Sequence, residues 1–145
     1  DELTTLADEL AVTDRVHFLP AVEPGDLPAY TAAADVGVIP YQPVSRNNEY
    51  ALPNKAFEYP GAGIPFVAAD LPELRRIAQT ARCGEVYDSF DPRQLAAAVH
   101  TILAPDRYPA YRHNAETFGQ ENTWEHEREI LIAEIRRLTR TTLTE

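Results

Sequence analysis

The chain has 145 residues with 44% hydrophobic content, which fits one globular domain and is short for a complete two-substrate enzyme. Its formal net charge of −10 comes from acidic residues spread over the whole length. This charge argues against a nucleic-acid surface, because phosphate contacts need clustered Lys and Arg. No stretch approaches the roughly 18 apolar residues of a membrane span, and the single cysteine, Cys83, excludes an intrachain disulfide and a cysteine metal cluster.

The hydrophobic pattern alternates between helices and strands along the chain. The first predicted elements in chain order are a helix containing Leu3 to Leu10, a strand at Arg15–Leu19, a helix from Asp26 to Ala34 and a strand at Asp35–Pro40. A short helix from about Pro53, a strand at Ile64–Ala69 and a helix at Pro72–Ala81 follow. The last elements are a strand at Cys83–Asp88, a helix containing Leu95 to Leu103, and a helical remainder from Pro109. The polar segment 41–52 is predicted to be a long loop.

This alternation, with continuous apolar runs as strands, indicates an α/β fold with a doubly wound, mainly parallel sheet and helices on both faces. Ligands of such folds bind beyond the carboxyl ends of the strands. We therefore expect the ligand site at the polar loop after Ile39 and at the short helix that follows this loop.

That short helix carries the only lysine among the 13 Lys and Arg residues of the chain, Lys55. Pro53 suits a first helical position, and Glu58 projects from nearly the same face as Lys55. A cation beside free backbone N–H groups suits a diphosphate, and a carboxylate one turn along can accept two hydroxyl protons from a ribose. On spacing alone, however, an exposed i,i+3 ion pair on a surface helix is the commoner explanation.

Four segments carry a resemblance to a known family: "ADVGVIPY", "ALPNKAFEYPGAGIPFVAADLPELRRI", "CGEVYDSFDPRQLAAAV" and "TWEHEREIL". In this order, they resemble the carboxyl-terminal, donor-binding domain of retaining nucleotide-sugar glycosyltransferases of the GT-B fold, the glycosyl transferases group 1 family. The resemblance covers about residues 13 to 138. It implies a Rossmann-like half of a GT-B fold with a helical carboxyl-terminal tail.

The resemblance implies a role for each site residue. Glu58 matches the glutamate that binds the ribose hydroxyls, and Asn54 and Lys55 would face the phosphates or the donor sugar. The family commonly has another glutamate eight positions before the ribose-binding one, where this chain has Tyr50, and Glu49 is offset by one. Glu49 and Tyr50 are therefore further candidates for donor contact, and no catalytic residue is assigned.

The resemblance also implies the partners. The donor, a nucleoside-diphosphate sugar, is a substrate, and we expect no cofactor and no metal. The acceptor, whether a saccharide, lipid-linked or a small molecule, would be held mainly by an amino-terminal domain. We expect residues 1–145 to be a donor domain truncated at its amino end, with a helical tail at 105–145, and inactive alone. The intact protein would be cytoplasmic, or peripheral to the membrane, without a transmembrane segment.

Two local features depart from the family pattern. Ala51-Leu52-Pro53 stands where a Gly-Phe-Gly sequence is usual, which leaves backbone amides less room to approach phosphate. Pro60 replaces a usual helix former and disfavours helical geometry at Tyr59, so we expect the helix to end early. Two other functions also stay open, a nucleotide-sugar epimerase of related fold and a non-catalytic nucleotide-binding or interaction module.

Two further features have ordinary structural explanations. Trp124 is predicted to be a core or packing residue, although the resemblance implies that this region crosses back toward the acceptor domain. Glu73, Arg75 and Arg76 are predicted to form a solvated helix face, although they follow a strand end closely enough for one of them to reach the ligand crevice.

Overall fold

The computed structural model describes residues 2–142 of the chain, with side chains described to residue 139; residue 1 and residues 143–145 lie outside the described part. The helices are α1 (Glu2–Glu9), α2 (Leu27–Ala32), α3 (Arg46–Glu49), α4 (Lys55–Gly61), α5 (Pro72–Ala81), α6 (Pro92–Leu103), α7 (Tyr108–Glu121) and α8 (Trp124–Thr142), with a 3-10 turn at Thr13–Arg15. The strands are β1 (Gly37–Ile39), β2 (Phe66–Ala69) and β3 (Gly84–Tyr87).

The three strands form one parallel sheet in the order β1-β2-β3. Gly37 lies opposite Phe66 in the first pair, and Phe66 lies opposite Gly84 in the second. All four residues of β2 are buried, as expected for a central strand covered on both faces. The predicted doubly wound α/β fold is confirmed.

Helices cover both faces of this sheet. Phe66 and Ala68 of β2 pack with buried residues of α4, α5 and α7, whereas Val67 packs with Ala98 and Ile102 of α6. This division follows from the alternation of side chains along a strand, which places neighbouring residues on opposite faces. Two apolar cores therefore hold the sheet between two helical layers.

Helix α7 reaches both of these cores. Tyr108 and Tyr111 near its start pack against the α6 core, whereas Ala115 and Phe118 further along pack against the core shared by α4 and α5. The helix must therefore pass the outer edge of β3. Such a crossing helix covers a strand edge, which keeps the edge from pairing with other chains.

The predicted strand at Arg15–Leu19 is wrong. Arg15 ends the 3-10 turn, and the following residues are extended without a strand partner in the described part of the chain. Phe18 and Leu19 are 54% and 71% exposed. An apolar run favours a strand, but a strand also needs a neighbouring backbone, and the outer edge of β1 does not supply one here.

Two predictions on helix boundaries are also wrong. Residues 41–52, predicted to be a loop, contain α3, whose first turn is capped by the Ser45 hydroxyl, which accepts a hydrogen bond of 3.2 Å from the Asn48 N–H. Helix α4 does not end at Pro60 but continues to Gly61. Pro60 leaves the Ala56 carbonyl without its usual intrahelical donor, but the helix continues, since the Ala62 N–H donates to the Glu58 carbonyl at 3.0 Å and Gly119 of α7 packs against the Pro60 backbone.

The helical tail predicted at 105–145 is observed as α7 and α8, up to Thr142, and its last three residues lie outside the described part. Helix α8 carries exposed apolar side chains, among them Ile130, Leu131 and Ile135. Within residues 2–142, no helix is both long and apolar enough to cross a membrane.

Close backbone packing fixes the position of α4. A Cβ atom at Gly119 of α7 would lie 2.3 Å from the carbonyl oxygen of Pro60, so the two helices meet without a side chain between them. On the sheet side, the ring of Tyr59 covers Gly37 of β1, where a Cβ atom would lie 2.3 Å from that ring. The Tyr59 hydroxyl donates a 3.2 Å hydrogen bond to the Val38 carbonyl.

This packing predicts that Gly119→Ala destabilises the fold. The added methyl group would overlap the Pro60 carbonyl, so α4 and α7 must separate, at a cost of about 1 to 3 kcal/mol in the free energy of unfolding. Gly61→Ala is the matched control, because its Cβ atom would meet nothing within 4 Å, and we expect a change within about 1 kcal/mol. Urea denaturation measures both, and equal losses would contradict the close contact.

Candidate functional site

The first turn of α4 lies after the carboxyl end of β1, across the polar segment 40–54. The Pro53 carbonyl accepts from the Ala56 N–H at 3.0 Å and the Asn54 carbonyl accepts from the Phe57 N–H at 2.8 Å, so helical hydrogen bonding begins at Pro53. The helix itself begins at Lys55, two residues after the predicted start, and the Asn54 side chain makes no capping hydrogen bond. The structure thus places this turn at the carboxyl edge of the sheet, where the ligand site is predicted.

Lys55 and Glu58 are both exposed on this turn and do not pair with each other. The structure has i,i+3 ion pairs elsewhere, such as Arg76–Glu73 at 2.8 Å and Arg137–Glu134 at 2.5 Å. None of the ion pairs within residues 2–142 includes Lys55 or Glu58. The surface ion pair that spacing alone favoured is therefore not formed, and both charges remain free to contact a ligand.

A cavity of about 650 Å³ opens beside this turn, between α4, α5 and the junction of α7 with α8. Asn54 and Glu58, four residues apart, line it from α4. Glu58 lies about 40° from Asn54 around the helix axis and about 60° from Lys55 on its other side. The Glu58 side chain thus leaves the helix between those of Asn54, on the cavity side, and Lys55.

The cavity combines aromatic walls with polar groups. The Phe57 and Phe118 rings lie 6.0 Å apart between centroids and are inclined by 20°, and both contribute to the lining. Glu127 and Asn122 add a carboxylate and an amide. Arg76 also lines the cavity, as one member of the predicted solvated face was expected to do, and its guanidinium is held by Glu73.

Trp124, the first residue of α8, lines the same cavity and is 66% exposed. The prediction of a core or packing role for this residue is therefore wrong. Its position was not readable from hydrophobicity, because the end of α7 at Glu121 and the turn before α8 decide which way the indole faces. The sequence carries one signal for this position: Trp124 follows Thr123 in "TWEHE", where an amphipathic helix begins.

Glu49 and Tyr50 lie outside this cavity. Glu49 is the last residue of α3 and is half-buried, and Tyr50 follows it with 58% of its surface exposed. The structure thus brings Asn54 and Glu58 together on one cavity, places Lys55 beside them, and puts Glu49 and Tyr50 on the preceding short helix.

The charges divide the site into two parts. Inside the cavity, the carboxylates of Glu58 and Glu127 outnumber the one guanidinium, that of Arg76, which is already paired with Glu73. A phosphate would therefore be repelled there, whereas hydroxyl groups would find acceptors. Outside it, Lys55 offers an unpaired ammonium. Within residues 2–142, no group of three or more His, Cys, Asp or Glu side chains could hold a metal ion.

Fold and site together define a Rossmann-like α/β domain with a polar crevice at the carboxyl edge of its sheet, a class whose members bind ligands at this edge. Residues 1–105 match the family described as Glycosyl transferases group 1. The chain belongs to this family.

Two curated relatives are D-inositol 3-phosphate glycosyltransferases. The protein from Thermobispora bispora is 33% identical over 96% of this chain and 32% of its own length. The protein from Geodermatophilus obscurus is 32% identical over 91% of this chain and 28% of its own length. The chain thus spans about a third of the length of these relatives.

Among solved structures, sucrose-phosphate synthase from Thermosynechococcus elongatus superposes with a TM-score of 0.75 at 25% identity. The superposition covers 97% of this chain and 34% of that protein. The shared architecture is the Rossmann-like half of a GT-B fold, as the sequence predicted.

The geometry of the cavity predicts how Trp124, the single tryptophan, is quenched. Because Glu58 and Glu127 line the cavity with it, the local potential is negative, and caesium should reach the indole more easily than iodide. Relative to N-acetyl-tryptophanamide at the same ionic strength, we expect the ratio of caesium to iodide Stern–Volmer constants to rise about twofold. A ratio equal to that of the free compound would contradict this placement.

Proposed function

We propose that the chain is the donor-binding part of a glycosyltransferase that moves a sugar from a nucleoside-diphosphate sugar to an acceptor with retention of configuration. The observation that carries the proposal is the unpaired Lys55 and Glu58, side by side on the first turn of α4. Membership of the glycosyl transferases group 1 family supports it.

In this proposal Lys55 holds the diphosphate. The protein has a net charge of −10, so a nucleoside diphosphate is repelled at long range and must be attracted locally. The Lys55 ammonium is exposed and has no carboxylate partner within the described residues that would compete with phosphate. As the sugar leaves, the same charge would stabilise the negative charge that develops on the diphosphate.

Glu58 holds the ribose. Its carboxylate has no partner within residues 2–142, lines the cavity, and lies one helical turn from Lys55, as a ribose lies between diphosphate and base. An ionised carboxylate accepts from both ribose hydroxyls, and such charge-assisted bonds are about twice as strong as neutral ones. Asn54 adds an amide beside it, on the cavity side.

Two parts of the proposal, the acceptor and the retention of configuration, rest on the family resemblance. In this account, the donor sugar is presented to an acceptor that other parts of the intact protein hold, without a cofactor and without a metal. Glu49 and Tyr50 stay candidates for donor contact on the segment that precedes α4.

Lys55→Ala is expected to weaken nucleoside-diphosphate binding by about ten- to a hundredfold, since one charge-assisted contact contributes about 1.5 to 3 kcal/mol. Binding of the free nucleoside should stay nearly unchanged. Lys55→Arg should restore binding only in part, because the planar guanidinium approaches phosphate differently from a compact ammonium. Calorimetric titration with diphosphate and nucleoside checks this.

Arg93→Ala is the control for the loss of positive charge, because Arg93 is exposed on α6, on the opposite face of the sheet. If Lys55→Ala binds diphosphate as tightly as the unmodified protein, Lys55 is an ordinary surface residue.

Glu58→Gln is expected to weaken ribonucleoside diphosphates more than their 2′-deoxy analogues, because the charged acceptor for two hydroxyls is lost and the deoxy analogue has only one of them. We expect a difference of about fivefold or more between the two losses. Glu129→Gln, an exposed carboxylate on α8, is the charge-matched control. Equal losses for both nucleotides would contradict the ribose contact.

A further inference from the structure

A second cavity, of about 560 Å³, lies at the other end of the sheet. It is lined by Gly84, Glu85 and Val86 of β3, by the end of α5, by Asp106 and Arg107 in the turn before α7, and by one side of α7. Gly84 is the first residue of β3, so this cavity begins at the amino end of the strand, whereas the Lys55 and Glu58 site lies at the carboxyl edge. The two sites share no lining residue.

The edge of β3 that does not pair with β2 faces this cavity. The Cys83 carbonyl accepts from the Phe66 N–H at 3.2 Å and the Tyr87 carbonyl accepts from the Asp70 N–H at 2.8 Å, so both carbonyls point toward β2. By the alternation of a parallel strand, the N–H and C=O groups of Gly84 and Val86 point away from β2. Because α7 passes this edge, an added peptide strand is blocked, and a gap sized for a small molecule remains.

A carboxylate stands in the middle of this strand. Glu85 lies opposite Val67, which is fully buried, at a position where an apolar side chain is usual. Its carboxylate accepts a hydrogen bond from the Tyr111 hydroxyl of α7. Burial, and then this carboxylate, raise the pKa of Tyr111 to about 12, so the hydroxyl keeps its proton at neutral pH. The pair forms a polar wall of the cavity.

Two guanidinium groups line the same cavity, those of Arg82 and Arg107. Arg82 has a left-handed backbone, with φ of 53°, and its carbonyl accepts a 3.0 Å hydrogen bond from the Asn114 side chain of α7. None of the ion pairs within residues 2–142 includes Arg82 or Arg107. The Glu85 and Asp106 carboxylates line the cavity as well, so it offers acceptors for hydroxyl groups beside two unpaired arginines that can bind one anionic group.

We propose that this cavity is a second ligand site, which takes a monosaccharide bearing one phosphate or carboxylate group. Hydroxyl groups both donate and accept, which matches the N–H and C=O groups of Gly84 and Val86 and the Glu85–Tyr111 pair. The anionic group pairs with Arg82 and Arg107, whose planar forks bind phosphate and carboxylate in the same way. This site is independent of the proposed donor site.

Amide NMR titration tests the proposal, with glucose 6-phosphate, glucuronate, glucose and inorganic phosphate as probes. The two anionic sugars should shift the amides of Gly84 and Val86, and each should bind more tightly than glucose or inorganic phosphate. The double variant Arg82→Gln/Arg107→Gln should weaken the anionic sugars about tenfold and glucose little. Arg112→Gln, one residue past Tyr111 and outside the lining, is the matched control and should not change the affinity.

A third variant, Ala110→Trp, keeps both arginines and fills the cavity from α7, so it should abolish the shifts at Gly84 and Val86 for every probe. Three results would overturn the proposal. The first is the absence of shifts at β3 at millimolar probe. The second is shifts that centre on Asn54, Lys55 and Glu58 instead. The third is inorganic phosphate that binds as tightly as the anionic sugars, which would mean that the cavity binds an adventitious ion only.

Discussion

The close approach of α4 to its two neighbours is the constraint on which the rest of the site depends. Gly119 lets α7 touch the Pro60 carbonyl, and Gly37 lets the Tyr59 ring lie flat on β1. Because these contacts hold two consecutive residues of α4, one against α7 and one against β1, the helix has one orientation relative to the sheet. That orientation sets where its first turn points, and therefore where the Lys55 ammonium and the Glu58 carboxylate stand.

From this constraint the chemistry of the site follows. A rigid helix presents a cation and a carboxylate that do not neutralise each other, beside a cavity whose aromatic and acidic lining repels phosphate and accepts hydroxyls. In the proposed function, this arrangement would hold the charged end of a nucleoside diphosphate at Lys55 and its hydroxylated end at Glu58. It also explains how a protein of net charge −10 could bind a dianionic group at all.

The sequence predicted the sheet, because buried parallel strands read as continuous apolar runs, and it predicted that the polar segment and the charged helix follow β1 at the carboxyl edge. The prediction from sequence failed where contacts with other parts of the fold decide the local structure. The apolar run Arg15–Leu19 has no neighbouring strand in the described chain, and α4 continues past Pro60, whose backbone packs against Gly119 of α7. The cavity was also out of reach, because Phe118 and Trp124 are far from Glu58 along the chain and come near it only through the packing of α7 on α4.

A crystal structure of the chain with a nucleoside diphosphate tests the central claim most directly, using whichever of UDP, GDP or ADP raises the melting temperature most. The account predicts the diphosphate within hydrogen-bonding distance of the Lys55 Nζ atom and both ribose hydroxyls on the Glu58 carboxylate, with α4 unmoved. A nucleotide bound elsewhere on the domain, or one whose diphosphate lies away from Lys55 with its ribose hydroxyls free of Glu58, would contradict it.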